Sequence, residues 1–167
     1  MKNFIKKIIP YAIVLIIGIT TKLTIIDPFF VNGDSMYPTL KDKEILILNR
    51  TAYYFSNIKR YDIVVIKTKD DYIIKRVIGL PGEHIKYLYG NLYINDKLEE
   101  DEFSKNTSNF DLTELGYEKI PEDKYLVLGD NRQISSDSRN IGLIDKKDIK
   151  GTASVRVWPL NKISTIK

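Results

Sequence analysis

Residues 62–95 read DIVVIKTKDDYIIKRVIGLPGEHIKYLYGNLYIN. Asp62–Lys67 and Tyr72–Ile78 are short runs rich in β-branched residues, the composition that fits a pleated, half-buried strand. Pro81-Gly82 then punctuates the chain. Ile85–Tyr89 and Leu92–Ile94 alternate apolar and polar residues across Gly90-Asn91, which reads as a hairpin turn. Outward from this block, Glu44–Asn49 (EILILN), Tyr125–Leu128 and Ala153–Trp158 are further strands, with Pro38, Asn95-Asp96 and Pro121 between them. Many short strands with turn signals predict a mainly β fold, an antiparallel sheet that is barrel-like or sandwich-like. Residues 96–124 break the pattern. They are rich in Asp, Glu, Lys, Asn and Ser, with scattered Phe103, Phe110 and Leu112. They predict a long loop or small insertion, with one helical turn near Leu112–Leu115.

The other end of the chain is different. Ile8–Ile26 is an apolar run interrupted by little except Pro10, Tyr11 and Lys22. A bilayer core needs roughly 20 apolar residues as helix, and the run meets that if the Lys22 ammonium snorkels to an interface. Lys2, Lys6 and Lys7 precede it, so the positive-inside rule places the N-terminus in the cytoplasm and residues 27–167 on the outer side. The competing reading is a cleaved signal peptide. No small-x-small site follows the run, which favours a retained single-pass anchor over residues 1–26.

Charge sharpens the division. The 167 residues carry 26 Lys+Arg and 22 Asp+Glu, a formal charge of +4. The four lysines of the first 26 residues account for the whole excess, so the remainder is balanced. That argues against a nucleic-acid-binding body. There is no cysteine and one histidine, His84. Disulfides, thiolate metal sites, a Cys nucleophile and a His-rich zinc site are thereby excluded. Hydrolytic chemistry would rest on Ser, Lys, Asp, Glu, Tyr or Arg.

Three stretches carry groups suited to such chemistry. In Gly33-Asp34-Ser35-Met36-Tyr37-Pro38-Thr39-Leu40 a serine sits in a tightly bent segment, where backbone amides can converge on an oxyanion. Lys75 lies within Tyr72–Ile78. At period 2 it shares a face with Ile73 and Val77, and an amine between apolar neighbours is driven towards its neutral form. A neutral lysine can take a proton from a serine hydroxyl and return it to a leaving amine. Gly129-Asp130-Asn131-Arg132-Gln133-Ile134-Ser135-Ser136-Asp137-Ser138-Arg139 follows an apolar strand and is dense in hydrogen-bonding groups. Its acids and arginines can lock one another, and a serine there can orient an amine. Each has a plainer reading: a turn serine, an exposed strand lysine, a solvated loop.

Together with Asp62-Ile63-Val64-Val65 and Lys75-Arg76-Val77-Ile78-Gly79-Leu80-Pro81-Gly82-Glu83, these blocks resemble the motif boxes of type I signal peptidases, in the same order and spanning nearly the whole chain. The resemblance implies a membrane-bound serine endopeptidase with a Ser-Lys dyad, in the compact Gram-positive form. It implies Ser35 as nucleophile and Lys75 as general base. Ser135 matches the serine that hydrogen-bonds the lysine amine. Asp130, Arg132, Asp137 and Arg139 match structural polar residues, Asp130 pairing with Arg76 and Asp137 with Arg139. Met36 matches a substrate-pocket residue beside the nucleophile, and Val31, Leu40 and Ile74 would line shallow apolar subsites for small residues at −1 and −3 of a signal peptide. Gly33 stands where some members carry a serine whose hydroxyl completes the oxyanion hole, so the Ser35 amide and nearby backbone would serve alone. Two further departures are Glu83 in place of an aspartate and Tyr61 where glycine is common. The implied partners are secretory preproteins and the lipid bilayer, with the chain a monomer. Two other readings are a processing peptidase for one dedicated substrate, and a tethered domain that binds signal peptides without cutting them.

Three features stand outside these blocks. The S-x-x-K spellings at Ser56–Lys59 and Ser164–Lys167 lack the partner motifs of penicillin-binding enzymes. His84, in a turn, reads as a surface residue. Trp158-Pro159-Leu160 suits either the bilayer surface or the core.

Overall fold

A computed structural model describes residues 7, 9–14, 18, 26–50 and 58–166. The expected anchor falls largely outside the described residues. Residues 9–14 are helical, and among the described residues no helix is long and apolar enough to cross a membrane. The two S-x-x-K spellings each have one end, at 56 or 167, outside them as well.

The described chain is built from antiparallel strands: β1 (Ile26–Phe30), β2 (Ile45–Asn49), β3 (Ile63–Lys67), β4 (Tyr72–Gly79), β5 (Ile85–Leu88), β6 (Asn91–Ile94), β7 (Lys97–Glu99), β8 (Phe110–Asp111), β9 (Lys124–Leu128), β10 (Ile144–Asp145), β11 (Ile149–Trp158) and β12 (Ser164–Thr165). The larger sheet runs β1-β2-β11-β3-β4-β9-β10, with β12 on β11; the smaller runs β7-β6-β5-β8. Among the described residues no ladder joins β1 to β10, so the larger sheet is open rather than a closed barrel. β1 is an edge strand, and Pro28 within it is tolerated there because an edge does not need every N–H.

The central strands are buried on both faces, which is why their apolar runs are continuous rather than alternating. Along β3, Ile63 and Val65 enter one cluster with Val31, Met36, Leu40, Leu46, Leu48 and Ile74. Val64 and Ile66 enter another with Val77, Tyr125, Val127 and Ile149. The period of two holds in β4, where Ile74 packs in the first cluster while Ile73 and Val77 pack with the second. A third cluster joins Ile78, Leu126 and Leu128 to Ile85, Tyr87, Leu92 and Phe110, fastening the smaller sheet to the larger.

Two expectations change. The β5–β6 turn is Tyr89-Gly90, not Gly90-Asn91: Leu88 pairs with Asn91, and Tyr89 and Gly90 have φ of 50° and 74°. A two-residue hairpin of this hand needs positive φ at both positions, and the register puts Gly90 second. Residues 96–124 are also more ordered than a loop. They hold β7 and β8 besides the helical turn expected at Leu112–Leu115, a 3-10 turn that a capping box between Asp111 and Glu114 starts and left-handed Gly116 ends.

Candidate active site

The segment after β1 folds back on itself. Gly33 has φ of +80°, a conformation open to glycine at little cost, and its N–H donates to Asp42 Oδ1 at 2.8 Å. Tyr37 N–H closes a turn on the Asp34 carbonyl and Leu40 N–H one on the Met36 carbonyl. Met36 and Leu40 are wholly buried, each contributing about 1.5–3 kcal/mol of apolar burial. They plug the turn into the core and leave half-buried Ser35 at its apex. Ser35 Oγ lies 2.9 Å from Lys75 Nζ. The amine also donates to the Ile74 carbonyl at 3.0 Å, which fixes its direction.

Lys75 is 3% exposed. Burial pushes its pKa below the ordinary lysine value, and the nearby carboxylates of Asp137 and Asp130 offset part of that fall. Removing the amine from water disfavours its charged form. A neutral amine at this distance is an acceptor for the serine proton, so the pair has the geometry of an activated nucleophile.

The second wall is the loop after β9. Asn131 N–H donates to the Ser35 carbonyl at 3.0 Å, and its side-chain amide donates to the Asp34 carbonyl. Arg76 donates from Nε and Nη2 to the two oxygens of Asp130 at 2.8 and 2.7 Å, a buried bidentate pair. Asp137 receives Arg139 Nε and Nη2 together with the Gly129 N–H. Arg132 is 3% exposed and donates to both oxygens of Asp101, to Thr107 Oγ1 and to the Gly129 carbonyl. Burial holds the Tyr87 phenol well above its ordinary pKa, so its O–H donates to Asp101 Oδ2 at 2.6 Å.

Ser135 is buried in the same loop, yet its Oγ has no hydrogen-bond partner among the described residues. The hydrogen bond from the Lys75 amine that resemblance assigned to it is not formed here. Of the four residues named for substrate subsites, Met36, Leu40 and Ile74 differ from that description, while Val31 also lines a groove with Asn32, Asp71 and Tyr72. Val31, Met36, Leu40 and Ile74 are 0–4% exposed and pack in the first core cluster. They support the serine turn from below.

Sequence reading passed over several residues. Gly129 is one: a Cβ there would lie 2.2 Å from Ser135 Oγ and 2.4 Å from the Ser35 carbonyl oxygen. Asp101, Thr107 and Tyr87, which hold Arg132, are others, as is Arg60, which clasps Glu83. Tyr61 has φ of +70°, a left-handed bend that glycine makes without strain. Its ring packs on the core cluster that joins the two sheets, and its hydroxyl donates to the Glu100 carbonyl. His84 sits at the start of β5 against the Glu118 carbonyl and Asp111, apart from the serine turn. Among the described residues no group of His, Asp and Glu is placed to hold a metal ion.

Comparisons with known proteins place the chain in a family. Residues 1–158 match the family model described as signal peptidase, peptidase S26. The chain is 40% identical over 175 aligned residues to signal peptidase I P of Bacillus subtilis subsp. natto, covering 99% of this chain and 95% of the relative. It is 35% identical over 177 residues to signal peptidase IB of Staphylococcus aureus strain COL, covering 96% and 93%. The crystal structure of a signal peptidase I from Enterococcus faecalis V583 superposes with a TM-score of 0.53 at 34% identity, over 58% of this chain and 97% of that one.

Proposed function

The chain belongs to the signal peptidase family S26, a family of serine peptidases, and from that premise we propose that it removes N-terminal signal peptides from secretory preproteins with Ser35 and Lys75 as a catalytic dyad. The observation that carries this reading is the 2.9 Å approach of a buried lysine amine to a serine hydroxyl.

The steps follow from the groups present. The neutral Lys75 amine accepts the Ser35 proton as Oγ attacks the carbonyl carbon of the scissile peptide bond. The resulting ammonium gives that proton to the departing amine, leaving the signal peptide as an ester on Ser35. Lys75, neutral again, takes a proton from water, and the hydroxide cleaves the ester. The Ser35 amide and its neighbours in the turn are the oxyanion donors. No metal or cofactor enters.

The substrate has a place to lie. β9 pairs with Arg76, Val77 and Gly79 of β4 only. The edge of Tyr72–Ile74 opposite β3 therefore has no strand partner among the described residues. A groove bounded by Val31, Asn32, Asp71 and Tyr72 runs beside it. An extended chain laid there gains main-chain hydrogen bonds regardless of its sequence. Selection would come from side-chain room next to Ser35, where small residues at −1 and −3 fit. The apolar residues 8–26 serve as an anchor that places the catalytic domain on the outer face of the membrane.

Incubation of the full chain in detergent with a preprotein bearing an Ala-x-Ala site tests the specificity. One cut after the second alanine is expected, read from the product's N-terminus by mass spectrometry, and lost when that alanine becomes phenylalanine. Cleavage indifferent to that change would reject the reading.

A further inference from the structure

Two grooves adjoin the segments that carry the dyad, neither of them lined by Ser35 or Lys75 themselves. One, bounded by Val31-Asn32 and Asp71-Tyr72, is taken above for the segment ahead of the cut. The other opens beyond Gly129. Its walls are Gln133, Ser135 and Asn140 on one side and Lys105, Asn106 and Ser108 on the other. Gly129 connects it to the nucleophile, since a Cβ there would meet both Ser135 Oγ and the Ser35 carbonyl oxygen. Ser135 Oγ is buried and unpartnered among the described residues, a polar atom left for something that enters the groove to satisfy.

The charge of this groove is uneven. Arg132 and Arg139 contribute to its lining, but Asp101 and Asp137 neutralise them. Lys105 is exposed, and among the described residues no carboxylate lies within ion-pair distance of it. The remaining walls are neutral amides and hydroxyls, which can serve the main chain of a peptide of any sequence. One uncompensated cation among them favours an acidic side chain.

We infer that this second groove takes the stretch of substrate following the scissile bond, and that Lys105 biases cleavage towards chains with acidic side chains in that stretch. The inference rests on the signal peptidase reading. Its direction comes from the fold. β1 begins at Ile26, where the apolar run ends, so a segment leaving the membrane arrives on the β1 side of Ser35. The acyl half stays there as the ester, and the departing amine leaves on the opposite side, through the groove that Ser135 lines.

The test uses the full chain in detergent and two preproteins identical through the cut and the residue after it. One carries Asp and the other Lys at the second to fourth positions beyond the bond. At low salt the acidic substrate should show a kcat/KM about two- to five-fold higher, the range of an exposed ion pair. The difference should lie mainly in KM and shrink at 1 M salt. Lys105→Glu should reverse the preference. Lys119→Glu, exposed but outside the groove, should leave it intact. Equal kcat/KM values for the two substrates, or a preference unmoved by Lys105→Glu, would overturn the groove assignment while the peptidase reading stands. Failure to cut either substrate would overturn both.

Discussion

At the scale of single residues, the proposed catalysis depends on keeping an amine neutral where a serine can use it. The Lys75 amine is buried, and its pKa is held below the ordinary lysine value of 10.5. Activity should therefore fall as pH drops through that lowered pKa, because the protonated amine cannot accept the serine proton. A kcat/KM profile against pH checks this, and a rate flat from neutral to strongly acid pH would refute a lysine base. The same burial carries a stability signature. In the unfolded chain the lysine is charged below 10.5, whereas the folded form binds that proton only below its lowered pKa. Stability is thus lost as pH falls through the window between the two, at up to about 1.4 kcal/mol per unit. Lys75→Met lacks that loss, so urea melts should show its advantage over wild type growing across the window and level below it. Gly129 is equally constrained, without chemistry of its own. Gly129→Ala drives a Cβ onto Ser135 and the Ser35 carbonyl, and should destabilise the fold by about 1–3 kcal/mol while lowering kcat about 100-fold through displacement of Ser35. Equal kcat in the variant would mean that the loop and the serine turn move independently. In the sequence Ser35, Lys75 and the acid-arginine loop were legible as types of residue in bent or strand contexts. Gly129 was not, because a missing Cβ matters only once two other segments pack against it.

At the scale of elements, the site is the meeting of a serine turn, a strand and a loop, with the smaller sheet bracing the loop. β3, β4, β5, β6 and β9 were legible because β-branched runs between turn residues leave few alternatives. β1 was not: it holds a proline, and its first residue, Ile26, also ends the apolar N-terminal run. β7, β8, β10 and β12 span two or three residues each, too short for any period to show. The brace was hidden for a related reason. Asp101 lies 31 residues from Arg132 in a polar stretch whose partners only the fold reveals. Asp101→Ala would leave a buried guanidinium without its carboxylate, at a cost of about 3–5 kcal/mol. The urea midpoint should fall accordingly with an unchanged slope, and activity with it. An unfolding free energy within about 0.5 kcal/mol of wild type would show that the smaller sheet does not brace the site.

At the scale of the whole molecule, the proposed anchor and catalytic domain, held in one chain, would make the encounter with a preprotein partly intramolecular. Shared residence in one bilayer raises effective concentration by about 10²–10⁴-fold without a new contact. In vesicles, a preprotein with its apolar segment should be cut faster by a factor of that order than a soluble peptide with the same residues around the bond. Equal rates would place recognition wholly in the grooves beside Ser35. The central claim is narrower than this and more direct to test: Ser35 and Lys75 together perform the cut. Wild type, Ser35→Ala and Lys75→Ala would be purified as folded full-length chains and incubated with one Ala-x-Ala preprotein, with products read by mass spectrometry. A single product from wild type and none from either variant is the expected result. The same product from either folded variant would contradict the dyad.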